Sequence, residues 1–206
     1  MSDFLTAHKK VMSHEGGYAN NPKDRGGETY KGIARNFWGK WGGWKYIDNV
    51  KAQMVKQPVY GTSEYFNWAK HLNGLLEQIN VLQQLVLDFY KANFWKNLDQ
   101  ITDQDLATWI YDKDVNTGSM GSRWLQEALG VAVDGLVGPR TIAAANKVNG
   151  PELLEEIKGH ATVYYLTLAQ KPNQKGFWKS WISRVGLSPK KLAQANSEAR
   201  SLGIIA

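Results

Sequence analysis

The chain contains no cysteine. That single absence removes disulfide scaffolds, thiolate-ligated zinc, iron–sulfur clusters and cysteine nucleophiles together. Histidine is scarce: His8, His14, His71 and His160 show no paired ligand spacing. After His14-Glu15 a zinc-protease helix needs a second histidine at position 18, where Tyr18 stands, and Gly16-Gly17 interrupts the helix first. There is no Gly-x-Ser-x-Gly elbow of the common serine hydrolases. Gly26-Gly27 is not followed by Gly-Lys-Ser/Thr, so no phosphate loop is present. Neither a metal nor a cofactor is expected. Internal repeats and low-complexity tracts are missing, and no apolar run is long enough to span a bilayer. Asp3, Lys9 and Lys10 break up any apolar core at the N-terminus. The expectation is a protein made in the cytoplasm with no signal peptide and no integral membrane segment. It would reach a target outside the cell only through a pore or a secretion route.

What is present is a globular composition, 43% hydrophobic and 21% charged, in a chain long enough to bury a sizeable core. The net charge of +6 is unevenly placed. Residues 1–56 carry ten Lys/Arg against five Asp/Glu, residues 57–170 eight against thirteen, and residues 171–206 seven against one. Basic ends attract polyanions, whether nucleic acid, anionic lipid or envelope polymers. The acidic middle and the lack of a helix-turn-helix signature argue against nucleic acid.

Apolar residues recur at helical spacing through most of the chain. The pattern predicts helices over 3–15, 75–95, 103–116, 121–130, 138–148, 151–170, 175–186 and 189–201, a mainly α fold. Residues 18–29 read as a polar loop or short β-hairpin, and 30–38 as a short helix. Residues 39–74 are ambiguous, with Pro58, Gly61 and Gly74 as breaks. Phe37, Trp38, Trp41, Trp44 and Tyr46 alternate with glycines. Such rings either stack on sugars and bases or pack in a core.

Glu15 is the most informative residue. It follows Phe4 by eleven positions, about three turns at roughly 100° per residue, so it shares the apolar face of Phe4, His8 and Val11. A carboxyl group at the buried end of such a stripe resists ionisation, which suits a general acid. The plain alternative is a glutamate that reaches solvent where the helix ends. Gly16-Gly17 stops the helix directly after it, and a polar loop follows with Asp24 and Thr29. Two carboxylates flanking a cleft are what glycosidic cleavage requires, one protonating the leaving oxygen and the other positioning water or stabilising the sugar cation. The Thr29 hydroxyl suits holding that water.

Residues 11–34, Val-Met-Ser-His-Glu-Gly-Gly-Tyr-Ala-Asn-Asn-Pro-Lys-Asp-Arg-Gly-Gly-Glu-Thr-Tyr-Lys-Gly-Ile-Ala, resemble the N-terminal signature of glycoside hydrolase family 108. Where that pattern has Asp-Pro-Gly-Gly and Tyr-Gly-Ile, this chain has Asp24-Arg25-Gly26-Gly27 and Tyr30-Lys31-Gly32-Ile33. The resemblance implies a lysozyme-like helical fold, possibly with a hairpin near 18–30, and an N-acetylmuramidase of the phage or prophage endolysin kind. It implies that Glu15 is the catalytic acid, with Asp24 and Thr29 as its catalytic companions. Tyr18, Trp38, Trp41 and Trp44 become candidate substrate contacts.

Downstream, Asp114-Val115-Asn116-Thr117-Gly118, Trp124-Leu125-Gln126 and Asp134-Gly135-Leu136-Val137-Gly138-Pro139-Arg140-Thr141 resemble the predicted peptidoglycan-binding region that accompanies the same family. Phe177-Trp178, Trp181 and Arg184 resemble its closing segment. Asn116 is read as a further substrate contact. The division expected is a catalytic region over 1–100 and a helical peptidoglycan-binding-like region over 101–206, packed as one unit, with glycan strands as the partner. The competing readings are a lytic transglycosylase, which needs only one acid, and a non-catalytic wall-binding or secretion-assisting protein.

Overall fold

The computed structural model describes residues 1–12 and 16–205. The fold is mainly α, as the periodicity predicts. It contains the helices α1 (Phe4–Met12), α2 (Trp44–Ala52), α3 (Ser63–Glu77), α4 (Asn80–Tyr90), α5 (Gln104–Thr117), α6 (Met120–Ala128), α7 (Pro139–Ala145), α8 (Gly150–Ala169), α9 (Trp178–Val185) and α10 (Pro189–Ser201). A three-stranded antiparallel sheet of β1 (Tyr18–Asn20), β2 (Glu28–Tyr30) and β3 (Ile33–Ala34) follows α1. None of the described helices is long and apolar enough to cross a membrane. Two compact units emerge, one formed by Phe4–Trp95 and the other by Met1–Asp3 with Lys96–Ala206.

In the Phe4–Trp95 unit, α1 buries Phe4, Ala7, His8 and Val11, the stripe read from the sequence. The His8 ring sits between Phe4 and Tyr90, with centroids 5.1 and 5.2 Å away. The sheet replaces the short helix expected over 30–38. Lys31 and Gly32 both have positive φ, 44° and 80°, the backbone of a tight two-residue hairpin that turns β2 into β3. The strain at Lys31 is held on two sides. Its carbonyl accepts from the Tyr90 hydroxyl at 2.6 Å, and its ammonium donates to Gln83 Oε1 at 2.8 Å.

The ambiguous 39–74 stretch folds as α2 and most of α3. The single long helix expected over 75–95 is broken at Gln78-Ile79 into α3 and α4, then ends in a π-helical turn, Lys91–Trp95. The break is braced by Gln83, whose side-chain amide donates to the Leu76 carbonyl at 2.8 Å, beside the Ile79 amide that closes the end of α3 on the same oxygen at 3.2 Å.

In the other unit, Ser2 and Asp3 are tied to the start of its helical part. The Ser2 hydroxyl donates to the Ile101 carbonyl at 2.6 Å, and the Asp3 amide to Gln104 Oε1 at 2.6 Å. The core gathers Ile110, Tyr111, Trp124, Leu125, Ile157, Leu166 and Trp178 from α5, α6, α8 and α9. Gly121 allows α6 to approach α5: a Cβ there would lie 2.6 Å from the Ile110 carbonyl oxygen. Asp103 and Asn149 cap α5 and α8, and proline opens α7 and α10, all as local sequence dictates.

Candidate active site

Two of the catalytic candidates, Asp24 and Thr29, belong to the β-hairpin, so the hairpin's anchoring decides what they can do. Register pairs Tyr18 with Tyr30, Ala19 with Thr29, and Asn20 with Glu28. Alternation therefore puts Tyr18, Asn20, Glu28 and Tyr30 on one face of the sheet, and Ala19 and Thr29 on the other. β1 is an edge strand, and an edge exposes amides that need partners. Here α3 supplies them. The Tyr18 amide donates to Asn73 Oδ1 at 2.7 Å and the Asn20 amide to the Tyr65 hydroxyl at 2.7 Å. The approach is close enough that a Cβ on Gly17 would lie 2.3 Å from Asn73 Oδ1, whereas Gly16 has open space around it. The second glycine of the signature is thus fixed by packing.

Glu28 is the electrostatic centre of the inner face. Its carboxylate accepts from the Tyr18 hydroxyl at 2.7 Å and from Lys51 Nζ at 2.5 Å, and Arg35 Nε lies 2.9 Å away. Arg35 reaches on to Asp48 at 2.7 Å and lies over the Trp44 ring at 4.4 Å. Burial and the neighbouring Glu28 carboxylate push the Tyr18 phenol far above its usual range, so it stays a neutral donor.

The opposite side carries Asp24 and Thr29. Asp24 is exposed in the loop between β1 and β2, where its Oδ1 accepts the Gly26 amide at 2.8 Å and its carbonyl accepts the Gly27 amide at 3.0 Å. Thr29 is half-buried and its hydroxyl donates to the Gly27 carbonyl at 3.1 Å. Asp24 and Thr29 thus each bond to the backbone of the Gly26-Gly27 turn. Glu15 lies outside the described residues. Among the described residues, no three His, Asp or Glu side chains converge as ligands for a metal ion.

The comparisons with known proteins bear on this arrangement. The family model described as Glycosyl hydrolase 108 matches residues 8–118, more than half of the chain. The chain belongs to this family. A second model, described as Predicted Peptidoglycan domain, matches residues 120–186. Among solved structures, SagA of Brucella abortus is similar in fold, with a TM-score of 0.57 over 94% of each chain at 22% identity. No curated protein matches the chain. As a glycosyl hydrolase 108 member with a peptidoglycan domain, the protein is a glycoside hydrolase acting on peptidoglycan.

The aromatic candidates divide by burial. Trp38 is 40% exposed, and its ring stands edge-on to Phe89 at 4.8 Å. Trp41 is half-buried, with its indole N–H donating to the Leu85 carbonyl. Trp44 is 4% exposed, its N–H donates to the Trp38 carbonyl at 2.8 Å, and it packs in the core of its unit. Tyr18 is buried as well. It is 4% exposed, on the face of the sheet opposite Thr29, where its hydroxyl bonds to Glu28 and it struts the hairpin. Asn116 is exposed in the other unit, with its amide turned back to the Asp112 carbonyl at 2.5 Å.

The downstream motifs resolve into supports. Asp114 reaches from α5 to the first turn of α6, accepting the Ser122 amide at 3.0 Å and its hydroxyl at 2.5 Å. Burial lifts its carboxyl to about 6 despite these bonds. Gln126 clamps the Asp134–Thr141 loop. Its Nε2 donates to Asp134 Oδ1 at 2.7 Å and to the Leu136 carbonyl at 3.0 Å, and its Oε1 accepts the Gly135 amide at 2.8 Å. The Leu-Gln and Asp-Gly landmarks are therefore loop chemistry, their polar atoms already engaged. Arg184 of the closing segment pairs with Asp112 at 3.2 Å and offers its carbonyl to the buried Lys113 ammonium.

Sequence reasoning missed Glu28, Asn73 and Gln57, whose Oε1 lies 3.1 Å from the Tyr18 hydroxyl. Glu28 stands beside Thr29, and strand alternation alone marks it as belonging to the other face. Asn73 and Gln57 come from the stretch whose pattern gave no reading.

Proposed function

We propose that the protein is an N-acetylmuramidase, cleaving the β-1,4 bond between N-acetylmuramic acid and N-acetylglucosamine. Glu15 donates the proton to the glycosidic oxygen. Asp24 acts as base or as electrostatic partner of the sugar cation, and Thr29 helps to place the water. The observation that carries this reading is the shared Gly26-Gly27 turn, which anchors both Asp24 and Thr29. The order of Glu15, Asp24 and Thr29 in the family signature supports it. Exposed Phe37 and Trp38 are suited to stacking on sugar rings. The basic ends favour an anionic envelope, an attachment that raised salt weakens. The place of action is the cell wall, reached through a pore or a secretion route, and the outcome is bacterial lysis.

The test is the identity of the new chain end. Peptidoglycan is digested, reduced with borohydride and analysed by mass spectrometry. Reduced muramic acid is expected. Reduced glucosamine ends, or anhydromuramic ends from transglycosylation, would overturn the bond assignment while leaving the family unchanged.

A further inference from the structure

A groove of about 470 Å³ lies between α6 and α8, within the residues that match the peptidoglycan domain and away from the Gln126-clamped loop. That volume falls in the usual range for small-ligand clefts, about 300–1,000 Å³. Its walls are of two kinds. Met120, Val163 and the ring of Tyr164 give an apolar side, with Val163 64% and Tyr164 37% exposed. Glu127 and Glu156 give carboxylates, and His160 Nδ1 lies 3.4 Å from Glu127 Oε2. No lysine or arginine lines it. The Tyr164 ring is braced edge-on by Trp124 at 5.5 Å and by Tyr165 at 5.4 Å, so the apolar wall is preorganised.

Peptidoglycan presents three chemistries to such a groove: hydroxyl-rich sugars, carboxylates, and the ammonium group on the diamino acid of an uncross-linked peptide stem. Two carboxylates repel the second and attract the third. The methylene chain below an ammonium matches Met120 and Val163, and its charge gains from the face of Tyr164. We infer that this groove binds the amine-bearing side chain of a diamino acid in the peptide stem. The inference rests on peptidoglycan being the substrate, and it would make the second domain a reader of uncross-linked stems.

The test titrates the full chain with a purified disaccharide–tetrapeptide carrying the free amine, following the methyl signals of Met120 and Val163 by NMR. Saturable shifts at both methyls are expected. N-acetylation of the amine should weaken binding about tenfold, and Glu156→Gln, on an exposed side chain, about threefold. Unchanged affinity for the acetylated compound or for peptide-free disaccharide, or no effect of both Glu156→Gln and Glu127→Gln, would overturn the inference. Release of reducing ends from whole sacculi by the unmodified chain is measured in parallel. Release without methyl shifts sinks the groove assignment alone; methyl shifts without release sink the hydrolytic reading alone.

Discussion

Gly16 and Gly17 are neighbours in the family signature but meet different surroundings. Gly17→Ala would drive a methyl group into the Asn73 side chain and break its bond to the Tyr18 amide, whereas Gly16→Ala meets nothing within 4 Å. The expected cost of Gly17→Ala is about 1–2 kcal/mol, from a lost part-buried hydrogen bond and local overpacking. Pairing it with Asn73→Ala should recover part of that loss, since the clash disappears; a thermal double-mutant cycle reads the coupling. Strictly additive melting shifts would show that the contact is not the cause. Glu28 gives a second test at this scale. Glu28→Gln leaves Lys51 and Arg35 facing a neutral group at a mostly buried site, and should cost about 2 kcal/mol. Tyr18→Phe removes one neutral donor and should cost about 1 kcal/mol. Denaturant melts giving the reverse order would contradict the central place assigned to Glu28.

Among the elements, the helical part of the fold was legible and the sheet was partly so. Periodicity placed α5 through α10 within a few residues, because proline and the Asp103 and Asn149 caps mark their starts. It failed at Gln78-Ile79, where an apolar period runs unbroken across two helices while the Gln78 and Ile79 amides close α3 and Gln83 braces the break from α4. It failed again at residues 30–38, where the two positive-φ residues of a hairpin look like helix in a short apolar window. At the candidate site, Asp24 and Thr29 were readable as chemistry. The exposure of Trp44 and Tyr18, 4% each, was not readable, because tertiary packing sets how much of a ring reaches solvent. The α5–α6 crossing supplies the prediction at this scale. Gly121→Ala would place a methyl 2.6 Å from a backbone oxygen that cannot rotate away, so a loss of about 2–3 kcal/mol is expected. Unchanged melting would mean that the two helices can separate freely.

At the scale of the whole molecule, two buried ionisable groups set opposite pH dependences in the two units. Burial, aided by the nearby Lys31 charge, lowers His8 to about 4. Its unfolded form therefore binds more protons between pH 6.5 and 4, and the Phe4–Trp95 unit loses stability as pH falls through that window, by on the order of 3 kcal/mol. Asp114 is raised to about 6, so its contribution is full below the unfolded carboxylate value and is lost as pH rises through 6. Native-state hydrogen exchange, corrected for intrinsic rates and compared between the natural chain, His8→Gln and Asp114→Asn, should show the two substitutions changing the pH slope of their own units in opposite senses. Slopes left unchanged by either substitution would contradict the assignment.

Under the proposed function, a peptidoglycan glycosidase works through Glu15 as its acid. The most direct measurement is the rate at which purified peptidoglycan yields new reducing ends with the natural chain and with Glu15→Gln, at matched thermal stability. A fall of at least about a hundredfold is predicted, the usual worth of a positioned general acid. Release by Glu15→Gln at the natural rate would contradict the account and move the acid elsewhere in the chain.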